Sequence, residues 1–311
     1  MKKLLKALAV LSTVLGVISA INHIILLLAE LERRKHKNRG KIFEWTYGKV
    51  SYTVNGHGTP LLLIHGLDMG SSRAEWEASI AALSKNYMVY AVDLLGYGNS
   101  QKPKITYSSY LYSKLLADFI KSVVGKPVFA AACRGSAPVL LAACSLLPAG
   151  AVKKIILVSP SHNCRDCYTK HKVLLRTLIH LPVIGTAVYN MMTSKAATKA
   201  MLKEYGYFRE VTSDKVNRFY YPAHYGKNAR FAAADNFGGF FAADTVSLAR
   251  SVNIPVRCIA GGHDKTGLTF IKKLSEGNKN ITVSIFQNAR VLPHDENPNG
   301  FVRTCRAFFG V

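Results

Sequence analysis

Apolar and polar positions along the chain fall into three regimes. From Ala7 to Ala29 there is no charged residue, and these 23 residues form one helical candidate. At ~1.5 Å per residue such a helix reaches roughly the ~30 Å hydrocarbon thickness of a bilayer. Beyond a basic linker, Phe43 to Tyr47 and Lys49 to Val54 read as short strands, and the turn signals Gly56-His57-Gly58-Thr59-Pro60 follow. Leu61 to Ile64 is a fully apolar run of the kind found in buried parallel strands. Ser72-Arg73-Ala74-Glu75 reads as a capping box opening a helix with Trp76, Ile80 and Leu83.

The same alternation continues. Met88 to Val92, Val128 to Ala132 and Lys154 to Val158 read as strands, with helices over Ser108 to Val123 and Pro138 to Leu147. Repeated strand and helix units of this length predict an α/β domain with a mostly parallel sheet covered on both faces. In such sheets the functional residues sit at the carboxyl ends of the strands. Between about 161 and 240 the alternation gives way to helical segments rich in apolar and aromatic residues, read as an inserted helical cap. Strands over Pro255 to Ala260 and Ile281 to Phe286 then resume, with Phe270 to Leu274 and Gly300 to Phe309 helical. The expected organisation is an anchor and linker over 1–40 and a domain over 41–311.

The amino-terminal segment has two readings. Asn22 and His23 interrupt it, and a signal peptide cleaved after Ala20 would put Ile18 and Ala20 at positions that small residues usually fill. The apolar stretch Ile24 to Leu28 beyond that point favours an uncleaved transmembrane helix. Lys2, Lys3 and Lys6 precede it and Arg33, Arg34, Lys35, Lys37, Arg39 and Lys41 follow. The more basic flank tends to stay in the cytoplasm, so the expectation is a single-pass membrane protein with a cytoplasmic domain.

Charge sharpens this picture. The formal net charge is +23, and residues 1–41 hold nine bases and two acids, leaving 32 bases and 16 acids in the rest. The domain is therefore basic in its own right, and from Arg165 to Arg230 twelve bases face four acids. Beside an anchor, anionic lipid headgroups are the expected partner, at roughly 1 kcal/mol per Lys or Arg near the surface; a solvated basic face is the plainer alternative. Nucleic acid is disfavoured, because neither zinc-finger spacing nor an aromatic RNP pattern occurs. Six scattered cysteines do not make a disulfide framework. Cys164 and Cys167, with His162 and His171 beside them, have metal-ligand spacing but follow a strand and read as ordinary loop, so no metal is expected.

Several motifs in order resemble the α/β-hydrolase superfamily across nearly all of 43–310. His65-Gly66 resembles its HG turn, in which the N–H of the next residue, Leu67, helps form an oxyanion hole. Asp93 to Ser100 resembles a DxxGxGxS segment. The nucleophile elbow demands small residues two before and two after the nucleophile, and Ala131-Ala132-Cys133-Arg134-Gly135 meets this with Ala131 and Gly135. The resemblance thus assigns Cys133 as nucleophile and the N–H groups of Leu67 and Arg134 as oxyanion donors. Gly261-Gly262-His263-Asp264 resembles the acid turn, with Asp264 as the acid; a solvated turn Asp is the alternative.

At the histidine this sequence departs from the family. Aligning Glu296 and Pro298 with a GHxxxxExP-like segment puts Val291 in the His position, with His294 three residues later as a displaced base or simply a polar residue before the closing helix. A Cys can ionise without its own His in an electropositive site, but an acyl-enzyme still needs a base to activate water. Two functions follow: an ester or thioester hydrolase or acyl-transferase acting on a lipophilic substrate through Cys133, Asp264 and His294, or a pseudoenzyme that binds a lipid-like ligand or a protein partner at the membrane. Neither a Walker loop, a dinucleotide fingerprint nor an HExxH motif occurs, so no cofactor is implied.

Overall fold

The structure, a computed structural model, describes residues 1–35, 40–161 and 170–310, with the side chains of 170–172 left out. Cys164, Cys167, His162 and the side chain of His171 lie outside the described residues.

Eight strands form one sheet: β1 (Lys41–Trp45), β2 (Gly48–Asn55), β3 (Thr59–Ile64), β4 (Tyr87–Val92), β5 (Val128–Cys133), β6 (Val152–Val158), β7 (Val256–Gly261) and β8 (Ile281–Phe286). Their spatial order is β1-β2-β4-β3-β5-β6-β7-β8. β1 and β2 run antiparallel to their neighbours, and every other pairing is parallel. Leu61 to Ile64 are all buried because the central strands carry layers on both faces. Side chains alternate across the pleat: Leu62, Ile64, Ala130, Ala132 and Leu157 point into one core, while Leu61, Leu63, Ala131, Cys133 and Val158 point into the other with Trp76 and Phe301. Removing each of those leucines from water contributes roughly 1.5–3 kcal/mol.

Between β6 and β7 the chain makes helices Lys170–His180, Ile184–Met192, Lys195–Met201, Ser213–His224, Arg230–Phe237 and Thr245–Ser251. The first two meet at 119°, and Val183 at the break has φ 58, a left-handed backbone that a β-branched residue rarely adopts.

The amino-terminal helix is longer than the apolar run, spanning Lys2–Lys35, and it is one helix long and apolar enough to cross a membrane. Its second half does not stand free. Leu15, Ile18, Asn22, Ile25, Leu26 and Ala29 form a partly or fully buried stripe at helical spacing. Asn22 donates to the Val183 carbonyl at 3.0 Å and accepts from Asn190 at 2.9 Å, and Glu30 accepts from the Gly226 N–H at 3.1 Å. The residue that interrupts the apolar run thus faces the helices of the β6–β7 insertion.

Candidate active site

The carboxyl ends of β3, β4, β5 and β6 converge beside the helices that follow them. After β3, buried His65 accepts from the Leu94 N–H through Nε2 at 3.0 Å, which leaves its Nδ1 to donate to the Gly66 carbonyl at 2.5 Å. Burial holds the imidazole below its ordinary range, so it acts as a neutral brace between two loops. After β4, Asp93 accepts from the N–H groups of Arg73 at 2.8 Å and Asn99 at 2.9 Å and pairs with the Arg73 guanidinium at 3.2 Å. Gly98 has φ 46 and lies so close to this carboxylate that a Cβ there would collide with it, which explains the glycine in the Asp93 to Ser100 segment.

The turn after β5 differs from the sequence expectation by one residue. Cys133 remains in the ladder, opposite Val158; the strained residue is Arg134, with φ 46. In a nucleophile elbow the nucleophile occupies that strained apex. Arg134 therefore holds the position, and its small neighbours are Ala132 and Ser136 in place of Ala131 and Gly135. Ser136, the first residue of helix Ser136–Cys144, donates its hydroxyl to the His65 carbonyl at 2.5 Å. Gly135 has φ −63, which any residue adopts. The Arg134 N–H, assigned above to an oxyanion hole, donates to the Val158 carbonyl at 2.9 Å, at the last rung of the β5–β6 ladder, where Cys133 lies opposite Val158.

The Arg134 side chain lies over the HG turn. Its guanidinium lies against Gly66, where a Cβ would come within 2.3 Å of Nη2, next to buried Leu67. Nη2 donates to Ser71 Oγ at 3.0 Å and to Glu75 Oε1 at 3.0 Å, and Nε pairs with Asp68 at 2.5 Å. Burial opposes the charge, but Glu75 and Asp68 outweigh it and keep the guanidinium firmly protonated.

Glu75 is the residue that sequence reasoning missed. Ser72 does cap the helical turn Arg73–Trp76, accepting from the Ala74 N–H, yet Glu75 turns into the site instead of back to the cap. Burial alone would push its carboxyl up; the Arg134 charge, with a hydrogen bond from Ser71, holds it below the ordinary value. Cys133 Sγ lies 3.6 Å from His294 Nε2 and 3.9 Å from Nδ1. Glu75, Cys133 and His294 each offer a donor atom within 4.8 Å of the others. A soft cation could use such a set, but the Arg134 charge already seated on Glu75 works against one. Burial, reinforced by Glu75, pushes the Cys133 thiol well up, and burial pushes His294 down to about 4. At neutral pH the contact joins a thiol and a neutral imidazole, with Trp76 and Phe301 around the ring.

Asp264 does not join this group. Its Oδ1 accepts from the Gly267 N–H at 2.8 Å, capping helix Lys265–Gly277, and the carboxylates acting most strongly on His294 are those of Glu75 and Asp295. The turn that carries Asp264 instead abuts the Val291 loop, through a bond from the His263 N–H to the Ala289 carbonyl at 3.0 Å. Glu296 binds that loop together, accepting from the N–H groups of Arg290 at 2.7 Å and Phe208 at 2.8 Å.

A strand, an apex residue of positive φ and a helix at the centre of a mostly parallel sheet, with an HG turn beside it and an acid turn after β7, define the class of nucleophile-elbow proteins. The family model described as "Alpha/beta hydrolase family" matches residues 61–304. The chain belongs to that family. Among curated relatives it is similar to 2-hydroxy-6-oxo-6-(2'-aminophenyl)hexa-2,4-dienoic acid hydrolase of Metapseudomonas resinovorans, 38% identical over 76 residues. That stretch covers 24% of this chain and 26% of the relative's length. Among solved structures it resembles a serine hydrolase involved in carbazole degradation, with TM-score 0.69, 20% identity and coverage of 86% of this chain and 97% of that one. It also resembles an esterase from Exiguobacterium antarcticum, with TM-score 0.71, 15% identity and coverage of 86% and 98%. At these identities the structural likeness concerns the fold.

Proposed function

We propose that this chain is a membrane-tethered member of the family that binds and does not hydrolyse. The observation that carries the reading is Arg134 at the elbow apex, clamped by Asp68, Glu75 and Ser71. A guanidinium that stays protonated has no nucleophilic lone pair to offer, and here it also occupies the space above Gly66. With Val291 in the His position, two of three triad positions carry residues unable to do acyl transfer. The tether is helix Lys2–Lys35, whose Ile21, Ile24, Leu27 and Leu28 are exposed.

A second reading, a Cys133 hydrolase assisted by His294, is favoured by the 3.6 Å contact between them. It requires a thiolate that can reach a carbonyl, whereas Cys133 is wholly buried on the face opposite Ala132 and Ala130.

The discriminating experiment is turnover of p-nitrophenyl acyl esters and thioesters by the full chain beside the double variant Arg134→Ser with Val291→His, which rebuilds a Ser, His and Asp264 set. The expected result is no turnover by the native chain and a gain of about 10²-fold over background in the variant. Steady native turnover that Cys133→Ala abolishes would replace this reading with the thiol one.

A further inference from the structure

The docked half of the amino-terminal helix borders a cavity away from the elbow. It has a volume of about 250 Å³ and lies between Ser19, Asn22 and His23 of that helix and Asn190, Lys227 and Arg230 of the insertion. Among the described residues no carboxylate lines it. Glu30, which accepts from the lining residue Gly226, already pairs with Arg33 at 2.6 Å. Arg230 donates through Nε to Ile179 O and through Nη1 to Lys227 O, so two of its nitrogens fix the guanidinium and Nη2 has no protein partner among the described residues. Lys227 is exposed at the rim. A cavity with two cations, neutral amides and no acid suits an anion with several acceptor oxygens.

Its setting narrows the anion further. The helix that forms one wall presents Val17, Ile21, Ile24 and Leu28 outward, each about half exposed, and the helix Ile184–Met192 on which it docks exposes Ile184 and Met191. Bare apolar surface next to a cationic, acid-free cavity matches the two ends of an amphiphile. We propose that this cavity binds the phosphate of an anionic phospholipid headgroup, with the acyl chains along the exposed face of the amino-terminal helix. The lipid thereby bridges tether and domain. The inference rests on the tether reading above and locates it at a specific site.

The test uses the full chain and three ligands: vesicles of phosphatidylcholine alone, the same vesicles containing phosphatidic acid, and inorganic phosphate as competitor. Co-flotation with phosphatidylcholine alone reports the tether. The increment on adding phosphatidic acid, together with binding of soluble dihexanoyl phosphatidic acid, reports the headgroup site. Lys227→Gln with Arg230→Gln is compared with Lys272→Gln with Lys273→Gln, which removes equal charge from exposed positions elsewhere. The expected result is a loss of about tenfold or more in preference for phosphatidic acid in the first pair, and less than about twofold in the second. Equal losses in both pairs would reduce the effect to overall charge and overturn the site, and full competition by inorganic phosphate would overturn a lipid as its occupant. Failure to float on phosphatidylcholine with soluble phosphatidic acid still bound would overturn the tether and leave the headgroup site standing.

Discussion

The ends of β3 and β5, and the seam between the amino-terminal helix and the β6–β7 insertion, are both places where the chain brings unlike elements together, and they resolve charge in opposite ways. At the strand ends the charges meet internal partners: Arg134 faces the carboxylates of Asp68 and Glu75, and beside them Cys133 and His294 face each other in neutral forms. At the seam, Lys227 and Arg230 border open volume that no carboxylate among the described residues lines. On the two proposals above, the elbow position of this fold is not where it meets its ligand. A buried network whose members satisfy one another is costly to open, whereas an uncompensated one gains by accepting an anion.

The largest effect that would break this comparison comes from Arg134→Met. It leaves Glu75 charged, buried and unpaired, and should cost about 3–5 kcal/mol of stability by denaturant unfolding, with much of that restored in Arg134→Met plus Glu75→Gln. A negligible cost would mean that the strand-end network is not what closes the site. Next in size is acid sensitivity. Because His294 is pushed down to about 4 from an ordinary 6.5, the unfolded chain binds its proton first as pH falls. The stability this group contributes is complete above about 6.5 and is lost as pH falls to 4, at most roughly 3 kcal/mol. His294→Gln should flatten stability against pH by one proton in that window, and an unchanged profile would show that the ring is not held neutral. Smallest is Asp264→Ala, expected to cost about 1 kcal/mol as a lost helix cap while leaving the slow reactivity of Cys133 toward a thiol reagent as it was. A changed reactivity would return Asp264 to the site.

The sheet was largely legible because buried parallel strands write themselves as unbroken apolar runs, of which Leu61 to Ile64 is the plainest. The elbow was legible to within one residue. Ala130 to Ala132 and Gly135 to Ala137 are all small or near-small, so the steric rule accepts either Cys133 or Arg134 at the apex; the choice is made by where the ladder to Val158 ends, a tertiary fact. Ala132 and Ser136 around Arg134 were the available signal. Glu75 was hidden for a different reason. Its spacing from Ser72 satisfies a local capping pattern, and only the approach of Arg134, 59 residues away, draws it elsewhere. His294 reaches Cys133 through the closing loop, which Glu296 gathers by accepting from distant backbone N–H groups, and no local periodicity encodes that fold.

The clamp of Asn22 and Glu30 onto the insertion has a mechanical consequence. A domain on a slack leash explores a wide cone, and its orientation averages out; on the tether reading the last turns of the leash are bolted to the load, so helix and domain turn together like an oar and its blade. Tilting the helix by a given angle swings the far edge of the sheet through the same angle. The face that the domain presents is thereby set by how the first turns of the chain are held.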